Sequence, residues 1–340
     1  MAIDPEVAVT EVDAKLSYDR TVERSLVHRA AVGEVFVTDL RSLDQGRYLA
    51  AAQLPLSHGY YSDHRLRPPL FDTLLLLESC RQASIYGAHR TLGVPADTTM
   101  MVSNWSIELD AAACPAADRK PGELGLVDTV QARRGPRGDV RGLRFDLDLW
   151  MARRRVGRAH IEVGCTTAGQ YAALRHLQRG DDPPRTSDLG SQDAYGDAEP
   201  PPPELVGRFN PANVVIVDPV REGPTVSARL APRFDNPGLF DHSYDHYPAM
   251  VLMEAARQLS LLAVDDGTGA AAQRTVAAGF DAGFERFAEL DAPLYVRVTT
   301  GRGGTNDVTF EQHGATIARS TVDLVDSRTS ATTRRREVLG

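Results

Sequence analysis

The stretch FDTLLLLESCRQASIYGAH, residues 71–89, decides the fold. It is apolar on every side from Leu74 to Leu77, which is typical of a helix enclosed by protein rather than of one lying on a surface. Asp72 or Thr73 can cap its start, and Gly93 stops it. We therefore predict a long, buried helix between these signals.

A second stretch, FDHSYDHYPAMVLMEAARQLSLLAV, repeats the first at residues 240–264. Pro248 suits the first turn of a helix, and Met250 to Met253 is again apolar on all sides. Both stretches carry the signature Glu-x-x-Arg-Gln at a constant offset of 176 residues. Its members are Glu78, Arg81 and Gln82 in the first copy and Glu254, Arg257 and Gln258 in the second. Similarity at so long a period indicates duplication.

Each half reads as two strands, a long helix, and then three or four strands. The first strands are Val35 to Leu40 and Val214 to Val220. The stretches that follow the helices are MMVSNWSIEL, LRFDLDLWMA and AHIEVGCTT in the first half, and TVAAGFDAGF, LYVRVTT, VTFEQ and ATIARSTVDLV in the second. One long helix wrapped by a curved antiparallel sheet is the hotdog architecture. The predicted fold class is α+β, a double hotdog whose two sheets join across a pseudo-two-fold axis.

The length of 340 residues exceeds what one hydrophobic core usually serves. A stretch poor in apolar residues and rich in Pro, Gly and Asp separates the two halves. The predicted organisation is an N-terminal extension (1–20), a first hotdog domain (21–177), a linker (178–206), a second hotdog domain (207–330) and a C-terminal tail (331–340).

The overall charge and the cysteines limit the possible partners and the cellular compartment. A net charge of −8 argues against a nucleic-acid partner, which needs a concentrated basic surface. No apolar run approaches the length that spans a bilayer, so no membrane partner is expected. Three cysteines, Cys80, Cys114 and Cys165, are an odd number, which favours reduced thiols in a cytoplasmic protein. Arginines cluster at 133–144 and 153–158, either as solvated strand faces or as a stripe for an acidic partner.

Charged residues on buried helices need a reason, because an unpaired buried charge costs several kcal/mol. Glu78 with Arg81 and Glu254 with Arg257 lie at i and i+3, on one helix face. They form either internal ion pairs or a cleft where substrate meets the helix, and the repetition favours the cleft. A carboxyl group in a dry site can have its pKa raised and act as a general base, although a contacting Arg opposes that shift. An Arg suits a phosphate or an oxyanion.

Three histidines join this candidate site. His242 and His246, in DHSYDHYP, precede the second helix, and His58 in SHGYY is the counterpart in the first half. His242 is either a general acid/base or part of a turn. A metal site built from Asp241, His242, Asp245 and His246 is disfavoured, since nothing elsewhere supplies a matching set.

At these residues the chain resembles the A-factor biosynthesis hotdog family, the AfsA-type γ-butyrolactone synthases. The resemblance rests on Leu26 to His28, on Ser57 and His58, on Leu74 to Gln82, on Gly93 to Pro95 and on Phe240 to Gln258. The last segment also resembles hotdog dehydratases, in which a proline-led helix carries the catalytic Glu. In this chain His242 lies two residues closer to Glu254 than the dehydratase pattern has it.

The resemblance implies that a β-ketoacyl group passes from a carrier protein or CoA thioester to dihydroxyacetone phosphate, on the way to a butenolide or butyrolactone signalling molecule. The implied catalytic residues are Glu254, Arg257, Glu78, Arg81 and His242; the implied substrate-binding residues are Gln258, Gln82, His58 and His246. No metal and no cofactor is expected. The molecule is expected to be a monomeric pseudo-dimer or a homo-oligomer. The alternatives are a thioesterase or dehydratase, and a non-catalytic acyl-binding protein.

Overall fold

The structure is a computed structural model that describes residues 16–44, 46–110, 115–117, 119–190 and 198–327. Most of the predicted N-terminal extension, Cys114 and the predicted C-terminal tail lie outside the described residues. Cys80 and Cys165 are buried, free thiols.

The described residues form one twelve-stranded antiparallel sheet and four α-helices. The strands are β1 (Val37–Asp44), β2 (Arg47–Leu54), β3 (Thr99–Leu109), β4 (Gly122–Arg134), β5 (Val140–Met151), β6 (Arg154–Thr166), β7 (Ile216–Glu222), β8 (Thr225–Leu230), β9 (Thr275–Phe284), β10 (Tyr295–Thr300), β11 (Thr305–Gln312) and β12 (Ala315–Asp326). The helices are α1 (Thr73–Leu92), α2 (Ala168–Arg179), α3 (Ala249–Val264) and α4 (Ala270–Arg274). Short 3-10 turns at Arg24–Val27 and Pro203–Val206 precede the two halves of the sheet.

The strand order repeats about the centre of the sheet. It runs β1-β2-β4-β5-β6-β3 and continues as β9-β12-β11-β10-β8-β7, so that each strand of one half has its counterpart in the other. The halves join where β3 pairs with β9, for example Trp105 with Ala282 and Ile107 with Phe280. The predicted double hotdog fold is confirmed. The exact domain boundaries stay a prediction.

Both central helices begin and end where the sequence signals lie. The Asp72 side chain caps α1 by accepting a hydrogen bond from the Leu74 N–H at 2.8 Å, and Gly93 ends it with a φ of 66°, a conformation that glycine adopts without strain. Helix α3 begins after Pro248, which offers no side-chain cap. The fully buried side chains of α1 pack beneath β1 and β2, and those of α3 beneath β8 and β10. Glu78 and Glu254 are therefore carried into the interior with the apolar side chains.

Candidate active site

The Glu78 carboxylate on α1 is surrounded by donors. It is completely buried. Arg81, one turn further on, donates from Nε and Nη2 at 2.8 Å each, and Gln82 donates at 2.7 Å. Arg29, from the segment before β1, adds a third donor through Nε at 3.0 Å. The carboxylate thus faces two guanidinium groups.

The Glu254 carboxylate on α3 repeats this arrangement. Arg257 donates from Nε at 3.0 Å, Arg208 from Nε at 2.9 Å, and Gln258 also donates to it. The Tyr60 hydroxyl adds a further hydrogen bond at 2.9 Å. This carboxylate is also completely buried.

The spacing of the signature gives no indication of the outer arginines, Arg29 and Arg208. A signal for them exists: LVHR at 26–29 and LVGR at 205–208 stand at equivalent places before each half. Each quartet closes a 3-10 turn that delivers its arginine to the carboxylate of the following helix. Long-range pairs of this kind cannot be read from helical spacing, which relates only residues within one helix.

The two arginines decide the protonation state of Glu78. Burial raises the pKa of this carboxyl, but the charges of Arg29 and Arg81 and their hydrogen bonds outweigh burial and hold the pKa at about 2. Of the two opposed effects that the sequence suggests, the contacting arginines therefore prevail over burial at Glu78. At neutral pH it is an ionised anchor for its arginines and a poor proton acceptor.

Gln82 and Gln258 lie behind the carboxylates, away from any opening. Gln82 donates to the backbone carbonyl of Glu34 at 2.7 Å and accepts from the N–H of Phe36 at 2.9 Å. Gln258 makes the same two bonds to the Asn213 carbonyl and the Val215 N–H. Both glutamines are fully buried and tie each helix to the segment that leads into the first strand of its half.

A cavity of about 240 Å³ opens beside Arg81, between the two halves. We call it the interface cavity. Its polar wall includes His28, Arg29, Arg81 and His242, and Pro248 lines it at the start of α3. Its apolar wall is formed by Ile85, Met100, Val102, Trp105, Phe145, Ile161, Val163 and Leu239.

The interface cavity adjoins a larger outer groove of about 1020 Å³ that runs under α2, and both are lined by Val163, His246 and Ala249. Arg133 and Arg144 also line this groove. The cavity and the broad surface groove therefore share part of their walls.

Two Asp-His pairs stand at this opening, in the DHSYDH segment. Nδ1 of His242 lies 2.6 Å from the Asp241 carboxylate, and Nδ1 of His246 lies 2.6 Å from the Asp245 carboxylate. Asp241 also accepts from Nη1 of Arg29 at 3.0 Å. Burial raises the pKa of Asp241, but the His242 hydrogen bond and the Arg29 charge lower it strongly, so it stays ionised. Each imidazole is held through Nδ1 and lines the cavity.

His58 is not brought to the cavity. Its Nδ1 accepts from the N–H groups of Tyr60 and Tyr61 at 3.1 Å each, and its Nε2 lies 3.1 Å from the Glu34 carboxylate. The ring thus organises the turn before α1 and packs on Phe36 and Tyr61. In its place the structure brings His28, the last residue of the LVH motif, to the cavity. Burial, with the nearby Arg81, His89 and His242, lowers the pKa of His28 to about 4.

Beside the signature of α3, the described residues leave much less space. The pocket beside Arg257 measures about 30 Å³, room for only one or two water molecules. Nη1 of Arg257 donates to the Asp72 carboxylate at 2.6 Å, and that carboxylate is 1% exposed. Of the predicted catalytic residues, Arg81 and His242 therefore meet in one cavity, with Glu78 directly behind Arg81, while Glu254 and Arg257 form a closed cluster.

Within the described segments, no three His, Cys, Asp or Glu side chains converge as they would around a metal ion. Among the same residues, no helix combines the length and the apolar character needed to cross a membrane.

The sequence has clear relatives. Residues 11–167 and 190–325 match the family model described as the A-factor biosynthesis hotdog domain, AfsA. A 2-oxo-3-(phosphooxy)propyl 3-oxoalkanoate synthase of Streptomyces virginiae is 32% identical over 279 residues, which cover 82% of this chain and 86% of that protein. A synthase of the same name from Streptomyces griseus subsp. griseus is 28% identical over 324 residues, which cover 93% of this chain and 94% of that protein.

Among solved structures the likeness is more distant. The dehydratase domain from the CurF module of Curacin polyketide synthase has a TM-score of 0.48 at 11% identity, over 85% of this chain and 97% of that one. The family match, in contrast, spans both halves of the sheet with their central helices. This chain therefore belongs to the A-factor biosynthesis hotdog domain family.

Proposed function

We propose that this protein transfers a β-ketoacyl group from a thioester to the primary hydroxyl of dihydroxyacetone phosphate. The product named by its relatives, a 2-oxo-3-(phosphooxy)propyl 3-oxoalkanoate, is the ester of those two parts. The observation that carries the proposal is the interface cavity, which combines Arg81 and the Asp241–His242 pair with a long apolar wall. The apolar wall suits an acyl chain, the Arg81 guanidinium suits a phosphate, and the His242 imidazole can accept a hydroxyl proton.

His242 is the proton acceptor in this proposal. Asp241 holds Nδ1, which leaves Nε2 to accept the hydroxyl proton, as in other Asp-His pairs. The hydroxyl oxygen then attacks the thioester carbonyl carbon, a C–O bond forms and the C–S bond breaks. The departing thiolate takes the proton back from the imidazolium. No net proton or electron is gained or lost.

Glu78 has a positioning role in this scheme. Because its carboxylate is ionised and takes donors from Arg29, Arg81 and Gln82, it fixes the Arg81 guanidinium at the cavity wall. This changes the role implied by the family resemblance, in which a Glu takes the hydroxyl proton. The Arg of the signature keeps its implied role toward negative charge.

The thioester donor enters through the outer groove. A carrier protein presents its acyl group on a long phosphopantetheine arm, and CoA has the same arm, so either donor needs a channel that leads to the cavity. The groove supplies that channel, and Arg133 and Arg144 on its wall suit an acidic or phosphorylated partner. The donor is therefore a β-ketoacyl carrier protein or acyl-CoA.

Mass analysis of a reaction with a β-ketoacyl N-acetylcysteamine thioester and dihydroxyacetone phosphate tests the proposal. The phosphorylated β-keto ester is expected, with thiol release that depends on the triose phosphate. Thiol release at an equal rate without it would identify a thioesterase. Loss of water from a β-hydroxyacyl thioester would identify a dehydratase, and no turnover of any thioester would leave an acyl-binding protein.

A further inference from the structure

The N-cap residues of the two central helices differ, although the helices themselves correspond. At the offset of 176 residues, Asp72 before α1 is equivalent to Pro248 before α3, and Leu74 is equivalent to Met250. One N-cap therefore has a carboxylate where the other has none. In each half, the N-cap residue lies opposite the Glu-x-x-Arg-Gln signature of the other helix.

The Asp72 carboxylate fills the second half-site. Its Oδ1 accepts from the Leu74 N–H at 2.8 Å and from Nη1 of Arg257 at 2.6 Å. An anion therefore lies between the N-terminus of one helix and the arginine of the other. Helix N-termini and guanidinium groups are both favourable partners for anions. The remaining space is the pocket of about 30 Å³.

In the first half-site the equivalent donors face open space. Nε and Nη2 of Arg81 are bonded to Glu78, as those of Arg257 are to Glu254. Within the described residues, Nη1 of Arg81 and the N–H of Met250 have no hydrogen-bond acceptor. Both residues line the interface cavity of about 240 Å³.

We propose that the phosphate group of the acceptor binds between Arg81 and the N-terminus of α3, at the place that the Asp72 carboxylate takes between Arg257 and the N-terminus of α1. The two half-sites are then unequal: the first binds substrate, and the second is permanently filled by a side chain of the protein. This inference rests on the proposed function for the identity of the phosphate compound, and on the geometry alone for the place of the anion.

His28 offers an independent readout of the same site. Arg81 is one of the charges that lower its pKa to about 4. A phosphate bound to Arg81 offsets that positive charge, so the pKa of His28 should rise when the site is filled. Titration of the His28 imidazole by NMR, with and without inorganic phosphate, measures this directly.

The decisive experiment places a carboxylate in the first half-site, at the position equivalent to Asp72 in the second. In P248D a carboxylate stands at the N-cap of α3 and takes the place of the phosphate on Arg81. P248N is the matched control, because Asn caps a helix equally well and has nearly the same shape without the charge. Both variants should fold, and Asp and Asn are among the best N-cap residues.

Calorimetric titration of the full chain with inorganic phosphate and with dihydroxyacetone phosphate gives the readout. Wild type should bind both. P248D should bind them on the order of 10- to 100-fold more weakly, as should R81M, and P248N should lose less affinity than P248D, because its amide accepts from the Met250 N–H without adding a negative charge. Equal affinities in wild type, P248N and P248D would overturn the inference. So would a P248D effect on phosphopantetheine binding with none on the triose phosphate, because the phosphate would then belong to the donor.

Failure of this inference and failure of the proposed function are distinguishable. Ester formation by P248D at the wild-type rate would refute the place of the phosphate and leave the acyl transfer standing. Weaker phosphate binding by P248D, together with no ester from the wild type, would support the anion site and refute the proposed reaction.

Discussion

Arg29 and Glu78 are 49 residues apart in the chain, and Nε of the arginine lies 3.0 Å from the carboxylate. Arg208 and Glu254 repeat the contact at 2.9 Å in the other half. Each carboxylate is therefore held by one arginine from its own helix and one from the segment before the sheet. Each buried carboxylate should therefore fix the position of its two arginines, and its negative charge should stabilise the fold by compensating theirs.

We expect E78Q to destabilise the protein by about 3–5 kcal/mol. The substitution leaves the largely buried Arg29 guanidinium, and Arg81 beside it, without the Glu78 carboxylate, and removing one partner of a buried ion pair is that costly. Urea denaturation at neutral pH measures the effect. A loss below about 1 kcal/mol, the range of exposed ion pairs, would contradict the role of an enclosed anchor.

The Glu78 carboxylate also makes stability depend on acid. Its pKa is about 2 in the fold and 4.5 in its ordinary range, so its contribution, on the order of 3 kcal/mol, is complete above about pH 4.5 and is lost as the pH falls toward 2. Denaturation curves of wild type and E78Q should therefore converge on acidification. If the difference in unfolding free energy between wild type and E78Q were constant from pH 6 to pH 2.5, Glu78 would not be the titrating group.

We expect H242Q to lower kcat of ester formation by roughly 10²- to 10⁴-fold, the usual contribution of a general base. The fold should be retained, since the His242 side chain is 40% exposed. H58Q provides the comparison: His58 supports the turn before α1, so this variant should lower the melting temperature. A catalytic rate in H242Q close to that of the wild type would remove His242 from the mechanism.

Asp128 on β4 should titrate in the opposite sense from Glu78. Its carboxyl is fully buried beside the Tyr48 hydroxyl, which donates to it, and burial raises its pKa to about 8. The fold therefore binds a proton that the unfolded chain releases above about pH 4, and stability falls as the pH rises from 4 to 8.

D128N removes that dependence. The variant should gain more than about 1.4 kcal/mol over the wild type at pH 9, the value of one pKa unit, and little at pH 4. Chemical denaturation at both pH values tests this. If D128N and the wild type differed equally in unfolding free energy at pH 4 and pH 9, Asp128 would be ionised in the fold.

The apolar wall of the interface cavity should set the acyl chain length. V102F on β3 adds bulk where the chain lies, and each methylene excluded costs about 0.8 kcal/mol. Exclusion of two methylenes should lower kcat/KM by roughly tenfold for long β-ketoacyl thioesters and leave short ones unaffected. V220F makes the same change at a residue of β7 that is 52% exposed, and its chain-length profile should match the wild type. A uniform loss over all chain lengths in V102F would place the chain elsewhere.

Much of the fold could be predicted from local patterns. The caps at Asp72 and Gly93 and the apolar surfaces on all sides of both central stretches predict the two helices, because capping and burial act within a few residues. The offset of 176 residues between the two signatures predicts the duplication, and hence a sheet whose halves have the same strand order. The pairing of Glu78 with Arg81 also follows from helical spacing.

The tertiary structure alone decides what those residues do. Whether burial or charge controls the Glu78 pKa depends on Arg29, which reaches the helix from another segment. The Gln side chains of the signature turn toward backbone, and His58 turns away from the cavity. The sequence by itself determined two equivalent helices. Each signature meets the N-terminus of the opposite helix only when the halves pack together. That packing brings Asp72 onto Arg257 and fills the second half-site, whereas Pro248 leaves the cavity at Arg81 open.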